Sequence, residues 1–254
     1  MATGQAKTKA SELMEEAAAL ASQPHLSEFQ IQQLKRKAKS LLRQDAVSAW
    51  DVLGFVAARE NNESAMRSNY QRALDLKRDH PVTHANYGHA LARLNFAAEA
   101  RDQLMRAVQL DPSNLIFLNA AIAAFVETGK FSGALELIER FNRLSPSKPS
   151  GFTQDVTDAL AFIRAHSLSE SEIETLLEQA RGVLHSAGAY ANKFNQSIVS
   201  DEDSTWLNYD LILAEPVERV VELNTVLCRR LASLEPPLAA EEHVLVMYLT
   251  DDST

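Results

Sequence analysis

The chain has 254 residues, 46% hydrophobic and 23% charged, which is enough apolar material for one large or two modest cores. No apolar run approaches the roughly 18–20 residues of a membrane span, and the single cysteine, Cys228, excludes an internal disulfide and a cysteine-based zinc cage. The net charge of −9 is uneven: residues 1–44 carry 7 Lys/Arg against 4 Asp/Glu, residues 45–149 carry 12 of each, and residues 150–254 carry 6 against 18. So acidic a C-terminal segment repels a phosphate backbone, which argues against nucleic-acid binding, and attracts a basic protein.

At the N-terminus, Lys7 and Lys9 are followed by Glu12, Glu15 and Glu16. The apolar stretch Ala17–Ala21 is shorter than the roughly 7–15-residue core of a signal peptide, so a reducing, cytoplasmic location is expected. The pattern predicts helices over residues 9–22 and 27–43, joined at Pro24, with Ser27 as N-cap. Ile31, Leu34, Ala38, Leu41 and Leu42 form the apolar stripe of the second helix, beside Lys35, Arg36, Lys37, Lys39 and Arg43. This hairpin, residues 1–44, is expected to cap the N-terminal end of a longer helical array.

Residues 45–149 repeat themselves. In steps of 34, Trp50 aligns with His84 and Leu118, Leu53 with Tyr87 and Ala121, Gly54 with Gly88 and Ile122, and Ala57 with Leu91 and Phe125. Further on, Met66 aligns with Ala100 and Ala134, Tyr70 with Leu104 and Ile138, Ala73 with Ala107 and Phe141, and Arg78 with Pro112 and Pro146. Trp50, Leu53 and Ala57 share one face of a helix, and Asn61-Asn62, Asn95 and Gly129-Lys130 fall at turns, where Asn and Gly tolerate left-handed backbone. This resembles the tetratricopeptide repeat, W-x2-L-G-x2-Y with a later small-apolar-Ala-Pro series, in three units without insertion. Ile122 and Phe141 are larger than the residues usual at their places, so the third unit is expected to pack more loosely or to adapt to a neighbour.

The pattern fails one further step on. Ser145–Gly151 reads as a linker with few contacts across it. Beyond it the sequence predicts helices over Asp155–His166 and from Glu170 to about Ala187, with Ser169 and Glu172 as a capping box. Strands come next at Phe194–Ser200 and Trp206–Ala214 around the acidic turn Asp201–Ser204, then a long helix opened by Pro216 and a last strand, His243–Thr250. The continuous apolar run Val244–Leu249 predicts that the last strand is central. The fold class expected is mainly α: an N-terminal α-solenoid of tetratricopeptide type, then a small acidic α+β domain (α-α-β-β-α-β) over residues 150–254.

Candidate chemistry is sparse. There is no Gly-rich phosphate loop, nucleophile elbow or H-E-x-x-H helix. His80 and His84 are four apart with His89 nearby, but Pro81 intervenes and no third ligand stands at a telling spacing. Cys228 is expected to be a buried, inert thiol. The reading is therefore of no enzyme, no metal and no cofactor, and of another protein as the partner.

The resemblance implies that the first helix of each unit lines a concave groove. By position these residues are Asp51, Phe55 and Arg59, then Ala85, His89 and Arg93, then Asn119, Ala123 and Glu127. A partner peptide or helix would lie there, with Phe55 as anchor and the arginines donating to a carboxylate. The chaperone-binding subclass clamps a C-terminal carboxylate from places that correspond to Asp51, Phe55, Asn86, Ile116 and Ala120; only Asn86 matches, and the cationic residues are missing. The acidic domain would then be a second docking or oligomerisation module, open to a basic protein. The alternative is a catalytic or ligand-sensing effector that the repeats deliver.

Overall fold

The structure, a computed structural model, describes residues 8–21, 23, 26–201 and 204–251. Lys7, Pro24, His25, Glu202 and Asp203 lie outside the described residues. The chain forms ten helices in succession: α1 (Lys9–Ala21), α2 (Glu28–Leu41), α3 (Ala46–Arg59), α4 (Glu63–Leu76), α5 (Pro81–Arg93), α6 (Ala97–Leu110), α7 (Leu115–Glu127), α8 (Phe131–Leu144), α9 (Thr153–Ala165) and α10 (Glu170–Ala187). A three-stranded sheet comes after them, β1 (Ala191–Ser200), β2 (Thr205–Leu213) and β3 (Val244–Thr250), with α11 (Val217–Leu231) and a 3-10 turn (Ala239–Glu242) between the last two strands. The architecture is mainly α, with the sheet confined to the C-terminal end. No described helix is long and apolar enough to cross a membrane.

The turns form as their residues dictate. Asn61, Asn95 and Gly129 adopt positive φ of 56°, 69° and 70° between the helices of successive hairpins. Asn62 then caps α4 by accepting from the Ala65 amide at 3.0 Å. Ser27 and Gln30 form a reciprocal capping box at the start of α2. Within the middle hairpin, a Cβ on Gly88 would fall 2.7 Å from Leu104 Cγ and 3.0 Å from the Ala100 carbonyl oxygen, so only glycine permits this approach. Tyr70 and Tyr87 stack at 4.9 Å and join the first two hairpins. In the third hairpin Ile122 and Ile138 stand at the places corresponding to Gly88 and Leu104, both fully buried, and α7 and α8 pack less closely than the two earlier helix pairs. Ile122 and Ile138 belong to a hydrophobic cluster shared with a neighbour, and Phe141 packs against it.

That neighbour is α9–α10. Ser167, with φ of 53°, occupies the turn place in this hairpin, but it lies 38 residues after Gly129 and not 34. Four additional residues in the 145–151 connection shift the register, and this is why the repeat disappears from the sequence while the stacking continues. Ser145–Gly151 is a surface turn, yet the core does not break there. One hydrophobic cluster runs from Ala85 through Ile122, Ile138, Ile173 and Leu184 to Tyr209 and Tyr248. The expectation of few contacts across the linker is thus not what the packing shows.

The sheet corrects a second expectation. Its order is β1-β2-β3, with β1 antiparallel and β3 parallel to β2, so β2 is central and β3 is an edge. Val244, Val246 and Tyr248 point inward, whereas Leu245 and Leu249 are 43% and 39% exposed. A continuous apolar run here marks a half-exposed edge strand and not a doubly buried one. The edge is partly covered: the Asn224 side chain on α11 both donates to the Tyr248 carbonyl and accepts from its amide, each at 2.9 Å. Ser169 does cap α10, through the Ser171 amide, but no capping box forms, because Glu172 accepts instead from the Ala239 amide at 3.0 Å. Cys228 is exposed, not buried: α11 buries Val220, Leu223 and Leu227, and Cys228 falls one residue off that stripe.

Candidate functional site

The α10–β1 junction brings the C-terminal part back onto the middle hairpin. Asn95 Nδ2 donates to the Ala189 carbonyl at 2.9 Å, His185 lies with Nδ1 3.3 Å from the Leu94 carbonyl oxygen, and its ring tilts against Phe96 at 4.9 Å. Gly188, with φ of 66°, allows the chain to turn out of α10 into this contact. Glu174 on α10 pairs with Arg101 at 2.5 Å and Lys130 at 2.7 Å, and Arg181 pairs with Glu127 at 3.2 Å. The groove of the hairpins therefore ends at a wall built from α10 and β1.

Between these elements lies a cavity of about 1050 Å³. Asp51, Phe55 and Arg59 of α3 line it, at every fourth residue of one helical face, together with Asn86, His89 and Arg93 of α5 and Glu127 of α7. These groove positions come together as the repeat pattern places them. Ala85, Asn119 and Ala123 do not join them: Ala85 is in the core, Asn119 is exposed and Ala123 is half-buried away from the cavity. The repeat pattern alone does not reach Met14 and Ala18 of α1, Arg181 of α10, or Lys193 and Phe194 of β1, all in the wall. Helix α1 packs on α3 through Leu13 and Ala17, as a first helix of a hairpin would, and its periodicity is the one sequence signal that could place it.

The electrostatics of the cavity are unusual at three residues. Asp51 is 1% exposed, and burial pushes its carboxyl up to about 7 while the Thr83 hydrogen bond works against the rise. Thr83 donates to Asp51 Oδ2 at 2.9 Å, and the hydroxyl accepts from His80 Nδ1 at 2.8 Å, while Asp51 Oδ1 has no well-formed hydrogen bond among the described residues. Arg59 is lowered to about 10 by burial and by the charge of Arg93, and burial also lowers Arg93. Both stay charged at neutral pH.

The remaining candidate residues have structural places. His84 bonds Gln103 Oε1 at 2.7 Å and the Arg78 carbonyl at 3.0 Å, and His80 is held by Thr83, so the histidines face different partners. In the basic cluster Lys35 pairs with Glu60 and Lys37 with Glu16. Asp201 and Ser204 close the hairpin turn, Ser204 donating its amide to Asp201 Oδ1 at 2.8 Å.

Comparison with known proteins yields no matching family model and no matching curated protein. Among solved structures, an O-GlcNAc transferase of Thermobaculum terrenum is 17% identical over 53% of this chain and 26% of its own, with a TM-score of 0.42. The chain thus spans about a quarter of that protein's length. The pilF protein of Pseudomonas aeruginosa is 19% identical over 70% of this chain and 86% of its own, with a TM-score of 0.45.

Proposed function

We propose that this chain is a protein-interaction scaffold of tetratricopeptide type, which holds a peptide or helix of a partner in the cavity between α1, α3, α5 and β1. The observation that carries this reading is the convergence of Asp51, Phe55, Arg59, Asn86, His89, Arg93 and Glu127, drawn from three hairpins, on one cavity. Its volume is at the upper end of the range for small-molecule sites and suits several residues of a peptide. The C-terminal α+β part acts here as a wall of the groove, and its acidic surface offers a second place for a basic partner. No catalytic role is assigned: the hydroxyl that stands beside a base, Thr83 at 2.8 Å from His80 Nδ1, is fully buried and outside the cavity lining.

The test is capture of partners from the native cell by the full chain, with identification by mass spectrometry. Arg59→Glu together with Arg93→Glu should reduce capture of the groove partner at least about tenfold, because any partner carboxylate then meets repulsion. Helical circular dichroism should be unchanged. A basic partner on the acidic surface would instead be lost with rising salt and with Asp201→Lys. Capture indifferent to the paired arginine reversal would remove the groove from the account.

A further inference from the structure

Resting on that groove reading, we infer that Arg59 and Arg93 are the subsite for a carboxylate of the bound peptide, and that Phe55 and Asn86 read the residues preceding it. The two arginines differ from the other cations of the cavity. Arg181 is paired with Glu127 and Lys193 with Asp251. Among the described residues Arg59 and Arg93 make no ion pair; each also has a buried Nε without an acceptor, a feature they share with Arg181. Arg59 donates to the Gln23 carbonyl, and Arg93 lies over the Tyr190 ring at 5.8 Å from its centroid. They stand close enough for the charge of one to act on the other.

Two half-buried guanidinium groups that line one cavity without an anionic partner are incompletely solvated, and like charges there repel. An anion placed between them removes both costs, and the guanidinium fork matches a carboxylate with two parallel hydrogen bonds. A monoanion fits better than a phosphate dianion, because Glu15, Glu127 and Asp251 stand in the same cavity. These arginines do not occupy the places where the chaperone-binding subclass carries its clamp; they lie one or two turns further along the groove helices.

The rest of the strip fits a peptide. Asp51 and Arg59 are eight residues apart on α3, about 12 Å at 1.5 Å per residue, which an extended chain covers in about four residues. Phe55, halfway between, meets an apolar side chain. At the far end the half-buried Asn86 offers its side-chain carbonyl to a main-chain N–H, which a free carboxylic acid lacks.

The experiment tracks the arginine Nε–Hε signals of the nitrogen-15-labelled full chain by NMR. Four probes are titrated: randomised acetylated tetrapeptides with a free C-terminus and no Asp or Glu; C-terminal amides containing Asp or Glu; C-terminal amides with neither; and inorganic phosphate. The first or second pool should shift Arg59 and Arg93, and the one that does identifies the carboxylate as main-chain or side-chain. The neutral pool and phosphate should act at least about tenfold more weakly. Arg59→Gln with Arg93→Gln, which keeps the size and removes the charge, should abolish the preference for the acid form.

A neutral pool that binds at Phe55 and His89 as strongly as the acidic ones would overturn the subsite while leaving the groove. Phosphate as the sole effective probe would also overturn it. No response of the cavity to any pool would overturn both readings.

Discussion

Asp51→Asn should stabilise the protein increasingly from pH 5 to pH 8. The folded-state pKa of Asp51 is raised to about 7 from 3.8 by burial. Between these values the unfolded chain ionises while the folded chain retains the proton, so the unfolded state binds fewer protons and stability falls as pH rises. The fall begins near pH 4, is complete just above pH 7, and amounts to about 4 kcal/mol at most, at about 1.4 kcal/mol per unit. Asn has the same shape, still accepts from Thr83 and cannot ionise. Urea unfolding at pH 5, 6, 7 and 8 should therefore show a gap between variant and parent that widens to about 2–4 kcal/mol. A gap independent of pH would mean that the carboxyl is ionised or solvated at neutral pH.

Ile173→Ala should destabilise the solenoid and the sheet together. Ile173 is fully buried on α10 and packs against the α7–α8 turn: a Cβ on Gly129 would lie 2.6 Å from its Cγ2. Truncation leaves a cavity at the junction of the two parts and should cost about 2–5 kcal/mol. Each kcal/mol lowers the midpoint of a chain this size by about 2–4 °C. Helical circular dichroism and Trp206 fluorescence, read with Trp50 replaced by Phe, should shift by the same amount. Loss of the Trp206 signal ahead of the helices would show that the chain divides near residue 150 after all.

The parts of the fold legible in the sequence are those with local causes. Asn61, Asn95 and Gly129 mark turns because left-handed backbone selects them, and the Gly88–Leu104 approach arises from the step of 34. The α9–α10 hairpin is legible as two helices but not as a repeat, since the extra residues at 145–151 break the period that reveals the others. The edge position of β3 is masked because Leu245 and Leu249 are apolar yet face outward. The α10–β1 part of the wall is not legible at all. Asn95 meets Ala189 and His185 meets Leu94 through main-chain carbonyls more than ninety residues away, and a carbonyl acceptor imposes no side-chain pattern. The groove residues of α3 and α5 can be placed by position; the burial of Asp51 among Thr83, Asn86 and Tyr70 and the lack of ion pairs at Arg59 and Arg93 among the described residues depend on packing that the repeat pattern does not encode.

The central claim, that a partner lies in this cavity, is tested most directly by photo-crosslinking from within it. A p-benzoylphenylalanine at Phe55, which lines the cavity, is compared with one at Leu76 on the outer helix α4 and one at Val199 on β1, both exposed. Irradiation in the native cell should join the Phe55 variant to one defined partner, with the crosslinked peptide carrying an acidic group within about two residues, the span from Phe55 to Arg59 at about 1.5 Å per helical residue. The Leu76 and Val199 variants should give no such product. A partner joined through Leu76 or Val199, with none through Phe55, would contradict the account.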